Sequence, residues 1–316
     1  MDRRDFLRMA ALAGLGATLL PGCAPAPAKP APRADVGAGR TPATTVGAPA
    51  GGGELVVAEG ADPAEMLARG LAALGGIGAL VKPGATVVLK PNFSVPRAPE
   101  EAATTNIVLV GALVRSCLAA GAKTVKVIDH PFTNPTICLE KTGMKTAVAA
   151  AGGQIYTLNS GRDKYFKPVQ IGGQVLAAAE YSKDVLEADV FINMPILKHH
   201  NGTRLTLGMK NLMGLVWDRG YFHRTDLHRC IAETAAFKKP HLTILDALRG
   251  ITDNGPMGPG PIREYNQLVF GTDPVAVDAY GATLFGLKPA EVDYIRIAAE
   301  LGVGSMDIDK APVRKA

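Results

Sequence analysis

The chain has 316 residues, 47% of them hydrophobic and 20% charged, with a net charge of +5. That length allows one large domain with a sizeable core, and so small a positive excess, with no dense Lys/Arg run or interleaved aromatics, argues against nucleic acid as a partner. The four cysteines, Cys23, Cys117, Cys138 and Cys230, include no CxxC pair, so no iron–sulfur cluster or cysteine-rich zinc site is expected from this chain.

Residues 1–22 read as an export signal. Arg3 and Arg4 head the run RRDFLR, a 12-residue apolar stretch follows from Met9 to Leu20, and Leu20-Pro21-Gly22-Cys23 has the form of a lipobox. The apolar stretch is too short for a bilayer core of roughly 30 Å. The expectation is twin-arginine export to a periplasmic or other extracytoplasmic location, with lipidation of Cys23 anchoring the protein to the membrane. Residues 23–53 are almost wholly Ala, Pro, Gly, Thr and Val, the composition of a disordered linker that could extend roughly 100 Å. The folded part is then residues 54–316.

Within it, Leu55 to Ala58 reads as a strand, and Asp62, Pro63 and Glu65 start a helix that ends near Gly75. A strand from Thr86 to Leu89 ends at Lys90, Pro91 and Asn92. Thr104 or Thr105 caps an apolar helix stopping at Gly121, and a strand from Val125 to Ile128 ends at Asp129 and His130. A helix from about Pro135 to Ala151, a strand from Gln154 to Leu158, and a hairpin turning at Gly172-Gly173 follow. Val190 to Asn193 is the next strand, ending in a loop with Lys198, His199 and His200. Beyond it, a helix spans Asp226 to Ala236, a strand runs from Leu242 to Leu245, and an irregular loop occupies Arg249 to Ile262. A last strand, Gln267 to Phe270, leads into a helix capped around Asp273. Strand–helix alternation of this kind predicts a single α/β domain, a mostly parallel (mixed) sheet with helices on both faces.

In such sheets ligands bind beyond the carboxyl ends of the strands. The ligand-binding candidates are therefore Lys90, Asn92, Asp129, Asn193, Arg204, Asn211, Asn254, Asp273 and Asp278, with His200, His130, Lys198 and Lys210 as acid–base or charge-stabilising candidates for catalysis. At 100° per residue, Leu205, Met209, Leu212 and Val216 form one apolar stripe of a helix following His200, with Thr203, Thr206 and Lys210 nearly opposite. His199, His223 and His228 are candidate ligands for a divalent metal. Adjacent His199 and His200 face opposite ways in extended chain, so at most one of them serves any one site.

Lys90-Pro91-Asn92, Met194-Pro195-Ile196-Leu197-Lys198-His199-His200, Lys210-Asn211-Leu212-Met213-Gly214, Asn254-Gly255-Pro256 and the segment from Gly271 to Asp278 resemble, in this order, the motifs of the domain of unknown function 362 family. The resemblance implies one α/β domain with these motifs on its functional face, and carries no assigned reaction. Some relatives append a ferredoxin-like cysteine module, whose pattern does not occur in this sequence. Two expectations stand: an exported protein binding a metal ion, an anionic small molecule or both, with His/Lys acid–base chemistry in its enzymatic version, and a non-catalytic binding or delivery protein tethered to the membrane.

Overall fold

The computed structural model describes residues 53–316; the signal, Cys23 and nearly all of the linker lie outside the described residues. Twelve short strands alternate with helices: β1 (Leu55–Glu59), β2 (Thr86–Pro91), β3 (Thr124–Asp129), β4 (Gln154–Thr157), β5 (Phe166–Gln170), β6 (Ala178–Ser182), β7 (Val190–Met194), β8 (Lys198–His200), β9 (Arg204–Thr206), β10 (Leu242–Ile251), β11 (Ile262–Gly271) and β12 (Val313–Lys315). Eight of them form one sheet in the order β12-β1-β11-β10-β7-β2-β3-β4. From β10 through β4 all neighbours are parallel, whereas β11 runs antiparallel to β10 and β1. The chain is an α/β protein with a mixed, mostly parallel sheet.

Side-chain alternation in the strands builds a core on each face. Val87, Leu89, Val127 and Ile192 pack with residues of the helices Pro63–Ala73 and Ile107–Ala119, while Val88, Ile128 and Phe191 pack with those of Leu227–Phe237 and Pro274–Leu284. Fully buried side chains such as Leu89 and Phe191 contribute about 1.5–3 kcal/mol each by leaving water. Cys117, Cys138 and Cys230 are buried and free.

Helix starts follow their capping chemistry. Asp62 accepts from the backbone N–H groups of Ala64 (2.8 Å) and Glu65 (3.2 Å), and Asp226 and Asp273 cap their helices likewise. The apolar helix of residues 107–119 is capped by Asn106 rather than by Thr104 or Thr105. Thr105 serves elsewhere: its Oγ1 accepts from Asn92 N (2.8 Å) and donates to Met194 O (2.7 Å), tying the exits of β2 and β7 together.

Three differences from the sequence expectation bear on the architecture and the site, besides a last strand that begins at Ile262 rather than Gln267 and an unexpected β12. The helix expected over 135–151 is two, Pro135–Lys141 and Met144–Ala150, separated by Gly143 at φ 71°. The strand expected to stop before Asp246 is the ten-residue β10, because the backbone of Asp246 bridges to the segment after β7, accepting from Leu197 N and donating to Pro195 O at 2.9 Å each. The third correction matters most for the site. Where one helix was expected after His200, β8 and β9 form an antiparallel hairpin that pairs Lys198 with Thr206 and His200 with Arg204, and only Gly208–Asn211 is α-helical before a 3-10 turn, Leu212–Leu215.

Candidate functional site

Chain order and strand order together locate the site. From β2 the chain steps outward to β3 and β4, then returns to place β7 on the other side of β2 and β10 beyond it. Two neighbouring parallel strands whose connections leave in opposite directions leave a crevice at their carboxyl ends. Here that crevice lies between Lys90-Pro91-Asn92 of β2 and Asn193-Met194 of β7, and the β8–β9 hairpin with the following helix forms its far wall.

The floor is a polar network with its charges paired. Lys90 Nζ donates to Asp129 Oδ1 (2.8 Å) and to Asn211 Oδ1 (3.0 Å). Asp129 also accepts from the backbone N–H groups of His130 and Phe93 and from Ser94 Oγ, which saturates its carboxylate. Burial alone would raise the Asp129 carboxyl, but the Lys90 ammonium and these donors hold it below the usual carboxylate range. Asn211 joins the elements: its Nδ2 donates to Lys90 O (3.1 Å) and Asn193 Oδ1 (2.9 Å), and its Oδ1 also accepts from Asn92 Nδ2 (3.1 Å). Asn193 Nδ2 in turn donates to Gly208 O, and the buried Asp278 carboxylate accepts from Gly208 N and Met209 N. The short helix is thus hung from two strands and from a second helix.

Gly214 closes over this floor. A Cβ there would lie 2.8 Å from Asp129 Oδ1, 2.9 Å from Lys90 Cε and 3.0 Å from Lys90 Nζ, so only glycine lets the turn descend onto the ion pair. Gly214→Ala is expected to cost about 1–3 kcal/mol by overpacking, measured by urea denaturation. A variant as stable as wild type would show that the turn lifts away without loss.

Above the floor lies a cavity of about 590 Å³, lined by Lys198, Lys210 and Arg219, by His200, Thr206 and Asn211, and by the apolar walls of Phe132, Met213, Trp217 and Met257. None of its three long cations meets a carboxylate within 4 Å among the described residues; the lining Asp218 pairs with Arg224 instead, at 2.8 Å. Lys198 is buried and directs its ammonium at three neutral oxygens, Ala103 O (2.6 Å), Pro256 O (3.2 Å) and Asn92 Oδ1 (3.3 Å). Arg219 donates to the backbone carbonyls of His130 and Pro131. Lys210 Nζ makes no hydrogen bond among the described residues. Desolvation, followed by the repulsion of Lys210, brings Lys198 down to about 7; desolvation, followed by Arg219 and Lys90, brings Lys210 down to about 8. Thr206, also buried, has an Oγ1 with no partner.

The histidines separate. His200 lines the cavity, and its Nδ1 accepts from Gly202 N (3.0 Å), which leaves Nε2–H as the neutral ring's donor. Burial and then Lys210 push it down to about 3, so at neutral pH it is a hydrogen-bond donor rather than an acid–base group. His130 lies outside the cavity lining, stacked on Trp217 with ring centroids 5.6 Å apart, its Nδ1 3.4 Å from Val216 O; burial and then Arg219 push it down to about 4. The metal set does not assemble. His199 faces away from His200, as extended chain requires, and accepts from Gly255 N (3.1 Å); His223 sits at the cavity rim, and His228 stacks on Tyr294. Among the described residues no three His, Cys, Asp or Glu side chains come together to hold a metal ion.

Of the ligand-binding candidates, Asn92 and Asn211 line the cavity, Lys90, Asp129 and Asn193 form the support beneath it, and Asp278 braces the helix. The rest have other work. Arg204, at φ 61°, is exposed and lies 3.8 Å from Glu291; Asn254, at φ 59°, holds its own loop by donating to Pro259 O; Asp273 is a helix cap that also takes Ser305 N. Sequence reasoning missed Arg219 and Trp217. Both follow the motif rather than a strand end, and the one signal available was that Trp217 is the only tryptophan in the chain.

Comparison with known proteins reaches the level of family. The thylakoid-associated protein sll1697 of Synechocystis sp. is 30% identical over 238 residues, 73% of this chain and 72% of that one. A solved structure of the lactate racemase apoprotein from Thermoanaerobacterium thermosaccharolyticum superposes with a TM-score of 0.48 at 15% identity, over 72% of this chain and 56% of that chain, a likeness in fold alone. The family model described as "Domain of unknown function (DUF362)" matches residues 87–283, which hold both strands of the crevice, the hairpin and the helix of Lys210; the chain belongs to this family.

Proposed function

We propose that the chain binds a small carboxylate- or phosphate-bearing molecule in the cavity between β2 and β7. One observation carries this reading: Lys198, Lys210 and Arg219 line a single cavity, and among the described residues no carboxylate lies within 4 Å of any of them, the lining Asp218 being paired with Arg224. Uncompensated cations in a partly dehydrated wall are costly, and an anion that pairs with them recovers that cost. His200 Nε2–H and Thr206 Oγ1 supply neutral polar groups, and Trp217, Met213, Phe132 and Met257 accept the apolar remainder of the ligand.

The reading has a pH signature. Unfolded lysines titrate near 10.4, whereas Lys198 and Lys210 titrate at about 7 and about 8 in the fold. Between those values the unfolded chain binds more protons, so the ligand-free protein gains stability as pH rises from about 7 toward 10. Anion binding favours the ammonium forms and takes up protons, so affinity falls over the same range. In a thermal-shift series with phosphate and pyruvate, both anions are expected to raise the melting temperature at pH 7 and to raise it less at pH 9. Stabilisation that is absent at pH 7, or that grows with pH, would remove this reading.

Export and anchoring are part of the same proposal, resting on Arg3, Arg4 and the Leu20-Pro21-Gly22-Cys23 sequence. That the Synechocystis relative is a thylakoid-associated protein fits a membrane-proximal station. Cys23→Ala is expected to move the exported protein from the membrane fraction to the soluble one on cell fractionation, and Arg3→Lys with Arg4→Lys to retain it in the cytoplasm.

A further inference from the structure

The three lysines around the crevice are not equivalent. Lys90 Nζ is committed to Asp129, Asn211 and Pro91 O, and Lys198 Nζ to three oxygen acceptors that a covalent bond at its nitrogen would strand. Lys210 lines the same cavity, and among the described residues none of its hydrogens has an acceptor. Its surroundings are cationic: Lys198 and Arg219 share the wall and Lys90 lies beneath. Desolvation, and after it the charges of Arg219 and Lys90, favours its unprotonated form, and an unprotonated amine that no acceptor holds is a nucleophile. The buried Thr206 Oγ1, without a partner, is a second polar group left unused on the same wall.

We propose that Lys210 is an imine-forming amine whose substrates are small anions carrying a ketone or aldehyde, the 2-oxo acids foremost; this rests on the anion-binding reading above. The Lys198 and Arg219 charges hold the carboxylate, and the carbonyl stands against Lys210. The Nζ lone pair forms a bond to the carbonyl carbon while the carbonyl π electrons pass to oxygen. That oxygen receives the proton released from nitrogen, with Thr206 Oγ1 and His200 Nε2–H as hydrogen-bond partners. A second proton, drawn from solvent, lets the hydroxyl leave as water, and the nitrogen lone pair closes the protonated imine. The sum is one amine, one carbonyl and one proton giving one protonated imine and one water, with no change of oxidation state.

The test is reductive trapping on the full chain. Pyruvate and glyoxylate are each incubated with the protein and cyanoborohydride, which supplies the hydride, and the product is read by intact mass and peptide mapping. The expected result is one adduct per chain, equal to the oxo acid less one oxygen atom, placed on Lys210 in roughly tenfold excess over any other lysine. Acetone, with a carbonyl and no charge, should give no such preference. Lys210→Arg should abolish the adduct, and phosphate, tested on the unaltered chain, should raise its melting temperature. If phosphate stabilises the wild type and neither oxo acid is trapped at Lys210, the imine proposal is overturned and the anion site survives. If the label is scattered over several lysines and unchanged in Lys210→Arg, the proposal is overturned by that result as well. If neither phosphate nor either oxo acid stabilises the protein and no adduct forms, both readings fall together.

Discussion

Replacing Lys90 by methionine is expected to destabilise the protein by about 3–5 kcal/mol, the loss seen when one partner of a buried ion pair is removed. Lys90 and Asp129 are both essentially fully buried, and the carboxylate has no other cation within 4 Å among the described residues. Denaturant unfolding at pH 7 measures the loss. Its pH dependence identifies the cause. In the wild type, the depressed Asp129 carboxyl contributes stability that is present above the unfolded value of about 3.9 and is lost as pH falls through the folded value. In the variant the lone buried carboxyl prefers to be protonated. The stability gap should therefore narrow as the medium is acidified below neutrality. A gap independent of pH would mean that Lys90 acts through packing alone.

Lys210→Met is expected to have the opposite effect on stability and the larger effect on binding. The amine has no hydrogen-bond partner among the described residues, so its removal orphans none of their groups, and it relieves the repulsion that, after desolvation, lowers Lys198 and His200. The ligand-free melting temperature should stay level or rise. Affinity for phosphate or pyruvate should fall about ten- to hundredfold, the equivalent of one charge-assisted hydrogen bond of about 1.5–3 kcal/mol, measured by calorimetric titration. Lys198→Met would strand Ala103 O, Pro256 O and Asn92 Oδ1 without their donor, which adds a folding cost to the loss of charge. A Lys210→Met protein that lost stability and kept its anion affinity would assign that residue to the scaffold.

The centre of the sheet was legible because β2, β3 and β7 are short aliphatic runs bounded by Gly, Pro, Asn and Asp, and because Lys90, Asn92 and Asn193 stand at their ligand-binding edge. The hairpin was not. Leu205, Met209, Leu212 and Val216 recur at helical spacing, yet what they share is burial in one core, which a strand, a helix and a 3-10 turn can satisfy in succession. Asn201-Gly202, between the residues that became β8 and β9, was the local turn signal that could have corrected the reading. The three candidate metal ligands stand apart among the described residues for a different reason. Sequence proximity counts histidines, while alternation in β8 turns His199 away from the face that Lys198 and His200 share. The roles of Asp129 and Asp278 were also beyond a pattern reading, since both are decided by donors that arrive from distant segments.

Asn211 and Lys210 are consecutive residues of one four-residue helix. The amide of Asn211 is bonded to both β2 and β7, so a slide of one strand along the other cannot be absorbed at that point. The same slide would move the amine beside it. Positional tolerance at the amine is therefore set by the stiffness of the sheet, not by that of a loop, and a displacement of about 1 Å is enough to cost two orders of magnitude in a reaction that depends on alignment. Substitutions in the β2–β7 seam that keep the fold should be detected first as a loss of precision in placing this one nitrogen.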